Sequence, residues 1–216
     1  MESKKPQLHV RTDKKIIGAM PRFTFDGRIE VVQSEKEMEK AVAYLKKRKV
    51  LGIDTETKPQ FKAGPRNKVA LLQIGDEKIC FLFRLNFIGL PEPLADLLND
   101  TEVKKIGLSL GDDLRQLSKR CKTLSDESWV DLQPLAKGMG IEDMSLRKLF
   151  ANVFGQRISK TAQLSNWEAP VLNDAQKVYA ATDAYACIML YKRLTQLKKK
   201  GFELIDDNDT DTTQAG

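Results

Sequence analysis

Two acidic side chains follow a short apolar run early in the chain. Asp54 and Glu56 end the stretch 50–56, which reads VLGIDTE. Alternate side chains of a β-strand share one face, so the two carboxylates would lie together, about 7 Å apart along the backbone. Buried carboxylates are costly unless something pairs them, and divalent metal ions are their usual partner. The pattern predicts a metal site, and it also fits a solvated strand end.

A second candidate pair lies in the helical stretch near the C-terminus. Tyr179 and Asp183 are an i, i+4 pair, which places them on one helix face about a turn apart. Small neighbours would let this face approach a backbone or a ligand closely, namely Ala180, Ala181 and Ala184. A helix packed by alanines and carrying an unrelated acid is the other interpretation.

Two further acids lie where a strand-like run around 105–108 changes into a helix over about 112–120. Asp112 occupies a position at which an N-cap is expected, and Asp113 would begin the first turn. Acidic residues are common at helix starts for capping and for the helix dipole alone. The residues themselves do not decide between capping and metal binding.

Taken in chain order, these three acidic segments resemble the exonuclease motifs of the DEDDy 3′–5′ exonucleases. The flanking runs are similar to the branch that contains ribonuclease D and the Werner helicase exonuclease domain; they are 68–74 (KVALLQI), 165–167 (SNW) and 176–185 (QKVYAATDAY). The resemblance extends over about residues 28–198. It implies an α/β fold of the ribonuclease-H-like kind, with a mixed β-sheet flanked by α-helices. It also implies hydrolysis of DNA or RNA from the 3′ end.

The resemblance implies a role for each acid around two divalent cations, Mg²⁺ or Mn²⁺. Asp54 would bridge both ions. Glu56 and Asp183 would complete one ion, and Asp113 would hold the other. Such a pair of ions fits phosphodiester hydrolysis, because it can stabilise both the attacking and the leaving oxygen.

The resemblance also separates the two neighbouring aspartates and gives the tyrosine a role. Asp113, rather than Asp112, keeps the family's spacing from Gly107. Ser109 stands in the region where the family often has Asn or His. Tyr179 would orient the attacking water, since a phenol with an ordinary pKa near 10 is a poor base.

The charge of the chain favours a polyanionic partner. The formal net charge is +6 at pH 7, although the C-terminal segment 201–216 is acidic. A basic body around an acidic cluster suits a protein that binds nucleic acid, and ordinary solubility charge would look similar. The first candidates for phosphate contacts lie in the loop after the acid pair: Lys58, Lys62, Arg66 and Lys68.

Several classes of function lack their sequence signals. No glycine-rich phosphate-binding motif is present, which argues against a nucleotide-binding protein or a kinase. His9 is the single histidine, so the histidine variant of the superfamily is excluded and a zinc site is not expected. A catalytically weak nucleic-acid-binding module of the same fold is the alternative, but no motif carboxylate is missing.

The cysteines and the apolar runs indicate the cellular context. Cys80, Cys121 and Cys187 form no C-x-x-C pair, which favours a reducing, intracellular compartment, cytoplasmic or nucleoid/nuclear. No run is long and apolar enough for a membrane span, and no secretion signal is recognisable.

The predicted organisation is one exonuclease domain, 23–200, between two segments of opposite charge. Residues 1–22 are basic, lack apolar periodicity and are predicted to be flexible, and residues 201–216 are predicted to form a disordered tail. Hairpin-spaced strands followed by alternating strands and helices predict a mixed sheet.

Two helix starts carry strong local signals. Ser34 with Glu37 matches a capping box, and Asn173 with Gln176 has the same spacing before the last helix. That last helix is predicted to run to residue 200, where Gly201 would stop it.

Overall fold

A computed structural model describes residues 5–61 and 67–206. The strands in this part of the chain are β1 (Gln7–His9), β2 (Arg22–Phe23), β3 (Arg28–Val32), β4 (Val50–Thr57), β5 (Val69–Gly75), β6 (Ile79–Arg84), β7 (Lys104–Gly107), β8 (Trp129–Asp131), β9 (Arg157–Ile158) and β10 (Glu203–Ile205). The helices are α1 (Lys14–Ile17), α2 (Glu35–Leu45), α3 (Leu85–Ile88), α4 (Glu92–Asn99), α5 (Leu110–Leu117), α6 (Leu132–Lys137), α7 (Leu146–Phe154) and α8 (Asp174–Lys200).

A six-stranded mixed sheet forms the centre, in the order β3-β6-β5-β4-β7-β8. Strand β5 is antiparallel to both β4 and β6, and the other neighbouring pairs are parallel. The hairpin-connected strands supply the antiparallel part, and the helix-connected strands supply the parallel part. The predicted mixed sheet flanked by helices is confirmed.

Alternation along β4 separates its core side chains from its acids. Leu51 and Ile53 are buried in a core with residues of α2, α4 and α5 on one face of the sheet. Helix α8 covers the other face, where Ala180 and Ala184 are buried against β5 and β6. Because side chains alternate, the acids of β4 point toward α8.

The predicted helix starts are confirmed. Ser34 and Glu37 form a capping box at α2, and Asn173 and Gln176 form one at α8. Gly201 ends α8 with a φ of 87°, in the left-handed region that glycine adopts without strain. The local signals therefore fix where the long helix begins and ends.

The N-terminal segment differs from the flexible segment predicted for residues 1–22. Strand β1 pairs in parallel with β10, and Leu8 is buried in the core beneath α8. The backbone N–H and hydroxyl of Thr12 donate to the buried Asp143 carboxylate at 2.9 and 2.6 Å. These partners lie more than a hundred residues away, so no local periodicity reveals them. Residues 203–205 of the predicted tail are a strand, and residues 207–216 lie outside the described residues.

None of the helices in the described ranges is both long enough and apolar enough to cross a membrane.

Candidate active site

Three carboxylates meet where β4 faces α8. Asp54 and Glu56 come from β4 and Asp183 comes from α8, and each offers one carboxylate oxygen within 4.8 Å of the others. Glu56 is 9% exposed and Asp183 is 6% exposed. In the part of the chain that the structure describes, this is the one such group of three or more potential metal ligands. The strand alternation predicted from the sequence brings the first two together, and α8 supplies the third.

These three acids line a cleft of about 280 Å³. Its walls come from β4, the turn after β7, the start of α7, the segment before α8, and α8 itself. The residues that line it are Asp54, Thr55, Glu56, Leu108, Ser145, Leu146, Arg147, Ser159, Lys160, Gln163, Tyr179, Asp183 and Cys187. The cleft gives an extended ligand access to the buried acids.

Burial dominates the electrostatics of the three acids. It raises the pKa of Asp54 well above its usual range, and the charges of Asp113 and Asp183 raise it further. Burial and Asp54 raise the pKa of Glu56 to about 10. Burial raises the pKa of Asp183 to about 7 although Tyr179 favours its ionised form. Without a cation, therefore, the folded cluster holds protons at neutral pH.

One oxygen of the cluster lacks any partner in the described structure. Asp183 Oδ1 is buried and accepts no hydrogen bond. An unsatisfied buried acceptor is unfavourable, and an oxygen ligand is what a hard divalent cation requires. The three carboxylates and the unpartnered Asp183 oxygen both fit a divalent metal ion.

Asp54 is held in place by its neighbours. Thr55 N donates to Asp54 Oδ1 at 2.9 Å, and Gln73 Nε2 donates to Asp54 Oδ2 at 3.4 Å. Gln73 is fully buried and lies directly opposite Asp54 in the β4–β5 ladder. In the sequence this residue stands out as a glutamine inside an apolar strand, a signal that does not by itself indicate a partner.

Helix α5 begins earlier than predicted, because its cap comes from another strand. Asp131, at the end of β8, accepts from Ser109 N at 3.0 Å and from Leu110 N at 2.9 Å. Ser109 occupies the N-cap position with a φ of 65°. Asp112 was expected either to cap this helix or to support the metal ligands from outside. The capping role is wrong, because Asp112 lies in the first turn and pairs with exposed Arg115 at 2.8 Å.

Asp113 is close to the cluster but is not one of its three converging oxygens. Its Oδ1 accepts a hydrogen bond from the Thr55 hydroxyl. Its charge raises the pKa of Asp54, and burial raises the pKa of Asp113 itself to about 6. Asp113 thus belongs to the electrostatic surroundings of the cluster, whereas Asp112 faces solvent.

Tyr179 lines the cleft one helical turn before Asp183, as the i, i+4 spacing predicted. Its ring centroid lies 6.0 Å from that of the buried Trp167. Burial and the charges of Asp183 and Glu56 raise the pKa of Tyr179 above its usual range. The hydroxyl therefore stays protonated and acts as a hydrogen-bond donor rather than as a base.

Two of the four predicted phosphate-binding residues, Lys58 and Lys68, are described, and neither lines the cleft. Lys58 forms an ion pair with Glu168 at 3.3 Å, and Lys68 is exposed. Lys62 and Arg66 lie outside the described residues. Among the described residues, the basic side chains that line the cleft are Arg147 and Lys160, which the charge pattern of the sequence does not distinguish from other surface bases.

A glycine sets the distance between β4 and α8. A Cβ atom at Gly52 would lie 2.0 Å from the carbonyl oxygen of Ala184. The strand and the helix therefore touch backbone to backbone, one residue from Asp183 and two residues from Asp54. Close packing at this contact holds the acids together.

Gly52→Ala should destabilise the protein and separate the acids. The added methyl group meets backbone, so β4 and α8 must move apart, and overpacking of this kind costs about 1–3 kcal/mol. The free energy of unfolding in urea measures the effect. Gly111→Ala in α5 is the matched control, because no atom lies within 4 Å of its added Cβ. Equal stability of Gly52→Ala and the parent would contradict this account of the contact.

Comparison with known proteins agrees with the geometry. A family model described as 3′–5′ exonuclease matches residues 29–198. The bifunctional 3′–5′ exonuclease/ATP-dependent helicase WRN of Mus musculus is 36% identical over 154 residues, or 68% of this chain. The Nibbler EXO domain of Aedes aegypti has a TM-score of 0.73 at 22% identity, covering 87% of this chain and 97% of that one. Trypanosoma brucei RNase D in complex with RNA U12 has a TM-score of 0.70 at 21% identity, covering 79% and 63%.

The matched regions are parts of longer proteins. The chain spans 11% of the length of the mouse protein and 22% of the human exonuclease mut-7 homolog. Residues 29–198, which match the family model, contain the acids of β4 and α8. The predicted fold and the predicted family resemblance are both confirmed.

Proposed function

We propose, from the premise that this chain belongs to the 3′–5′ exonuclease family, that it hydrolyses phosphodiester bonds at the 3′ end of a DNA or RNA strand. The observation that carries the proposal is the convergence of Asp54, Glu56 and Asp183 within 4.8 Å. The cleft that they line has a volume of about 280 Å³ and also contains the basic side chains of Arg147 and Lys160. A nucleic-acid strand is the partner that suits this cleft and the net charge of +6.

Asp54, Glu56 and Asp183 would hold divalent cations, Mg²⁺ or Mn²⁺, and Asp113 would complete the set. The unpartnered Asp183 Oδ1 and the raised pKa values of the acids support this assignment. Two such ions, when bound, stabilise the attacking and the leaving oxygen of a phosphodiester. The proximity of Asp113 to Asp54 supports its inclusion.

The protein's own side chains orient the reactants. The Tyr179 hydroxyl donates a hydrogen bond to the Asp183 carboxylate and would align the attacking water. Packing against Trp167 limits the directions in which the Tyr179 hydroxyl can point. Gln73 fixes one oxygen of Asp54, so the carboxylate does not rotate freely. Such preorganised groups act without reorganising during the reaction.

We also propose that residues 23–200 are the unit that carries this activity, with the paired strands β1 and β10 attached to it.

The three cysteines are consistent with a reducing compartment, because Cys80, Cys121 and Cys187 are all free thiols. Burial raises the pKa of both Cys80 and Cys187, which keeps these two thiols protonated and unreactive.

Matched DNA and RNA oligonucleotides labelled at the 5′ end test the function. We expect a ladder of products shortened from the 3′ end in Mn²⁺ or Mg²⁺, and no products with a chelator. Asp113→Asn should be inactive, whereas Asp112→Asn, the same change at the adjacent exposed residue, should retain activity. The reverse pattern would assign the fourth ligand to Asp112. Binding without cleavage under all conditions would indicate a nucleic-acid-binding module instead.

A further inference from the structure

Arg147 is a cationic side chain in the cleft that forms no ion pair with an acid among residues 5–61 and 67–206. It lies in the first turn of α7 and lines the same cleft as Asp54, Glu56 and Asp183. Its Nε is buried and has no hydrogen-bond partner among the described residues. No ion pair within 4.0 Å joins its guanidinium to an acid in the described ranges, so its donors remain available to a ligand.

Arg147 is half-buried. The Nε atoms of Arg84 and Arg120 are also buried without a partner, but each of these arginines donates through Nη2 to a carbonyl oxygen. Buried guanidinium groups are normally paired with carboxylates or carbonyl oxygens, because an unsatisfied buried donor is unfavourable. Arg147 has three carboxylates along the same cleft and yet forms a bond with none of them. The cleft therefore contains three acids and a guanidinium group that do not bond to one another.

The start of α7 adds to the positive character beside Arg147. Ser145 occupies the N-cap position, but its side chain makes no capping hydrogen bond. The N-terminal amides of a nine-residue helix carry partial positive charge and suit an anion. Ser145 and Leu146 line the cleft together with Arg147, so this end of the helix borders the same space.

We propose that Arg147 binds the nonbridging oxygens of the phosphodiester next to the scissile one, on its 5′ side. This assignment rests on the proposed function, which places the scissile bond at the carboxylates of β4 and α8. The guanidinium fork matches two phosphate oxygens, whereas a lysine offers only a point charge. Contacts to phosphate carry no base information, so Arg147 holds the strand in register on DNA and RNA alike.

A single neutral linkage tests the contact. Replacing the phosphodiester on the 5′ side of the scissile bond with a methylphosphonate removes its charge and leaves the scissile bond intact. For the parent protein in Mn²⁺, we expect kcat/KM to fall about 10- to 100-fold on this substrate, as for loss of a charge-assisted hydrogen bond. Arg147→Gln should show that loss on the normal substrate and no further loss on the methylphosphonate.

Arg28→Gln provides the matched control, since it removes the same charge from an exposed position on the edge strand β3. It should behave like the parent on both substrates. Arg147→Lys keeps the charge without the fork, so it should fall between the parent and Arg147→Gln. If Arg147→Gln does not fold, Arg147→Lys and the sensitivity of the parent decide the question.

Two outcomes would overturn the proposal. One is a parent protein that cleaves the methylphosphonate substrate as fast as the normal one. The other is an Arg147 variant that loses as much as the parent when the charge is removed. A parent protein that cleaves neither substrate would instead overturn the proposed function, and this inference with it.

Discussion

Asp183→Asn should reduce single-turnover cleavage at saturating Mn²⁺ by about a thousandfold, as expected for a fixed group that acts on charge developing in the transition state. The amide keeps the size of the side chain and removes its negative charge. Asp183 is the acid of α8 that meets the two acids of β4, so its loss leaves the set incomplete. Rapid-quench assays with a labelled oligonucleotide measure the rate.

The same substitution should stabilise the protein when metal is removed. The folded-state pKa values of Glu56 and Asp183 are raised to about 10 and about 7, so the folded cluster binds more protons than the unfolded chain. A raised carboxyl pKa contributes stability that is present below about pH 4 and is lost as pH rises through the folded value. Asp183→Asn removes one of these titrating acids. In chelator at pH 8, the free energy of unfolding of the variant should therefore exceed that of the parent by ~3 kcal/mol.

Thermal unfolding at pH 5 and pH 8 distinguishes this electrostatic stabilisation from a change in packing, which would not depend on pH. The advantage of Asp183→Asn over the parent should be larger at pH 8 than at pH 5, and Mn²⁺ should raise the Tm of the parent more than that of the variant. Asp174→Asn is the matched control on the same helix, because Asp174 is exposed in its first turn. An Asp183→Asn variant that retained the parent rate would remove Asp183 from the metal ligands.

Tyr179→Phe should lower the single-turnover rate by about a hundredfold, comparable with the loss of one preorganised hydrogen bond. The raised pKa of Tyr179 means that its hydroxyl is a donor at every working pH. Phenylalanine keeps the ring beside Trp167 and removes only this donor. Stability should change by about 1 kcal/mol, and affinity for Mn²⁺ should be nearly unchanged.

Tyr185→Phe makes the same chemical change on the same helix, outside the cleft. Tyr185 packs against Phe23 and Phe25 instead of facing the acids. This variant should cleave at the parent rate. Equal rates for Tyr179→Phe and the parent would leave Tyr179 as a packing residue and would assign the orientation of water to another group.

The sequence predicts the relative placement of those site residues that lie close together along the chain. Strand alternation placed Asp54 and Glu56 on one face, and helical spacing placed Tyr179 beside Asp183. Capping residues located the start of α8, and hairpin spacing identified the mixed character of the sheet. Each of these inferences depends on neighbours within a few residues along the chain.

What depends on distant partners was not predictable from the sequence alone. Asp131 in strand β8 accepts hydrogen bonds from the first amides of α5. The helix therefore begins before Asp112, where its start was predicted. In the sequence, Arg147 resembles any base at a helix start. Only the fold shows that it lines the cleft and that its Nε has no partner in the described part of the chain. Gly52 marks the contact with Ala184 only when the helix is seen against the strand.

The pairing of β1 with β10 has a mechanical consequence. The two strands run parallel, so the entering end of β1 and the leaving end of β10 lie at opposite ends of their small sheet. Tension applied through both ends of the described chain would pull the strands lengthwise past each other. The bonds Glu203 N to Pro6 O and Val10 N to Ile205 O, each 2.9 Å, would share that load instead of opening one after another. Force applied at both ends of the described chain would therefore load the β1–β10 pair in shear before it reached the cleft.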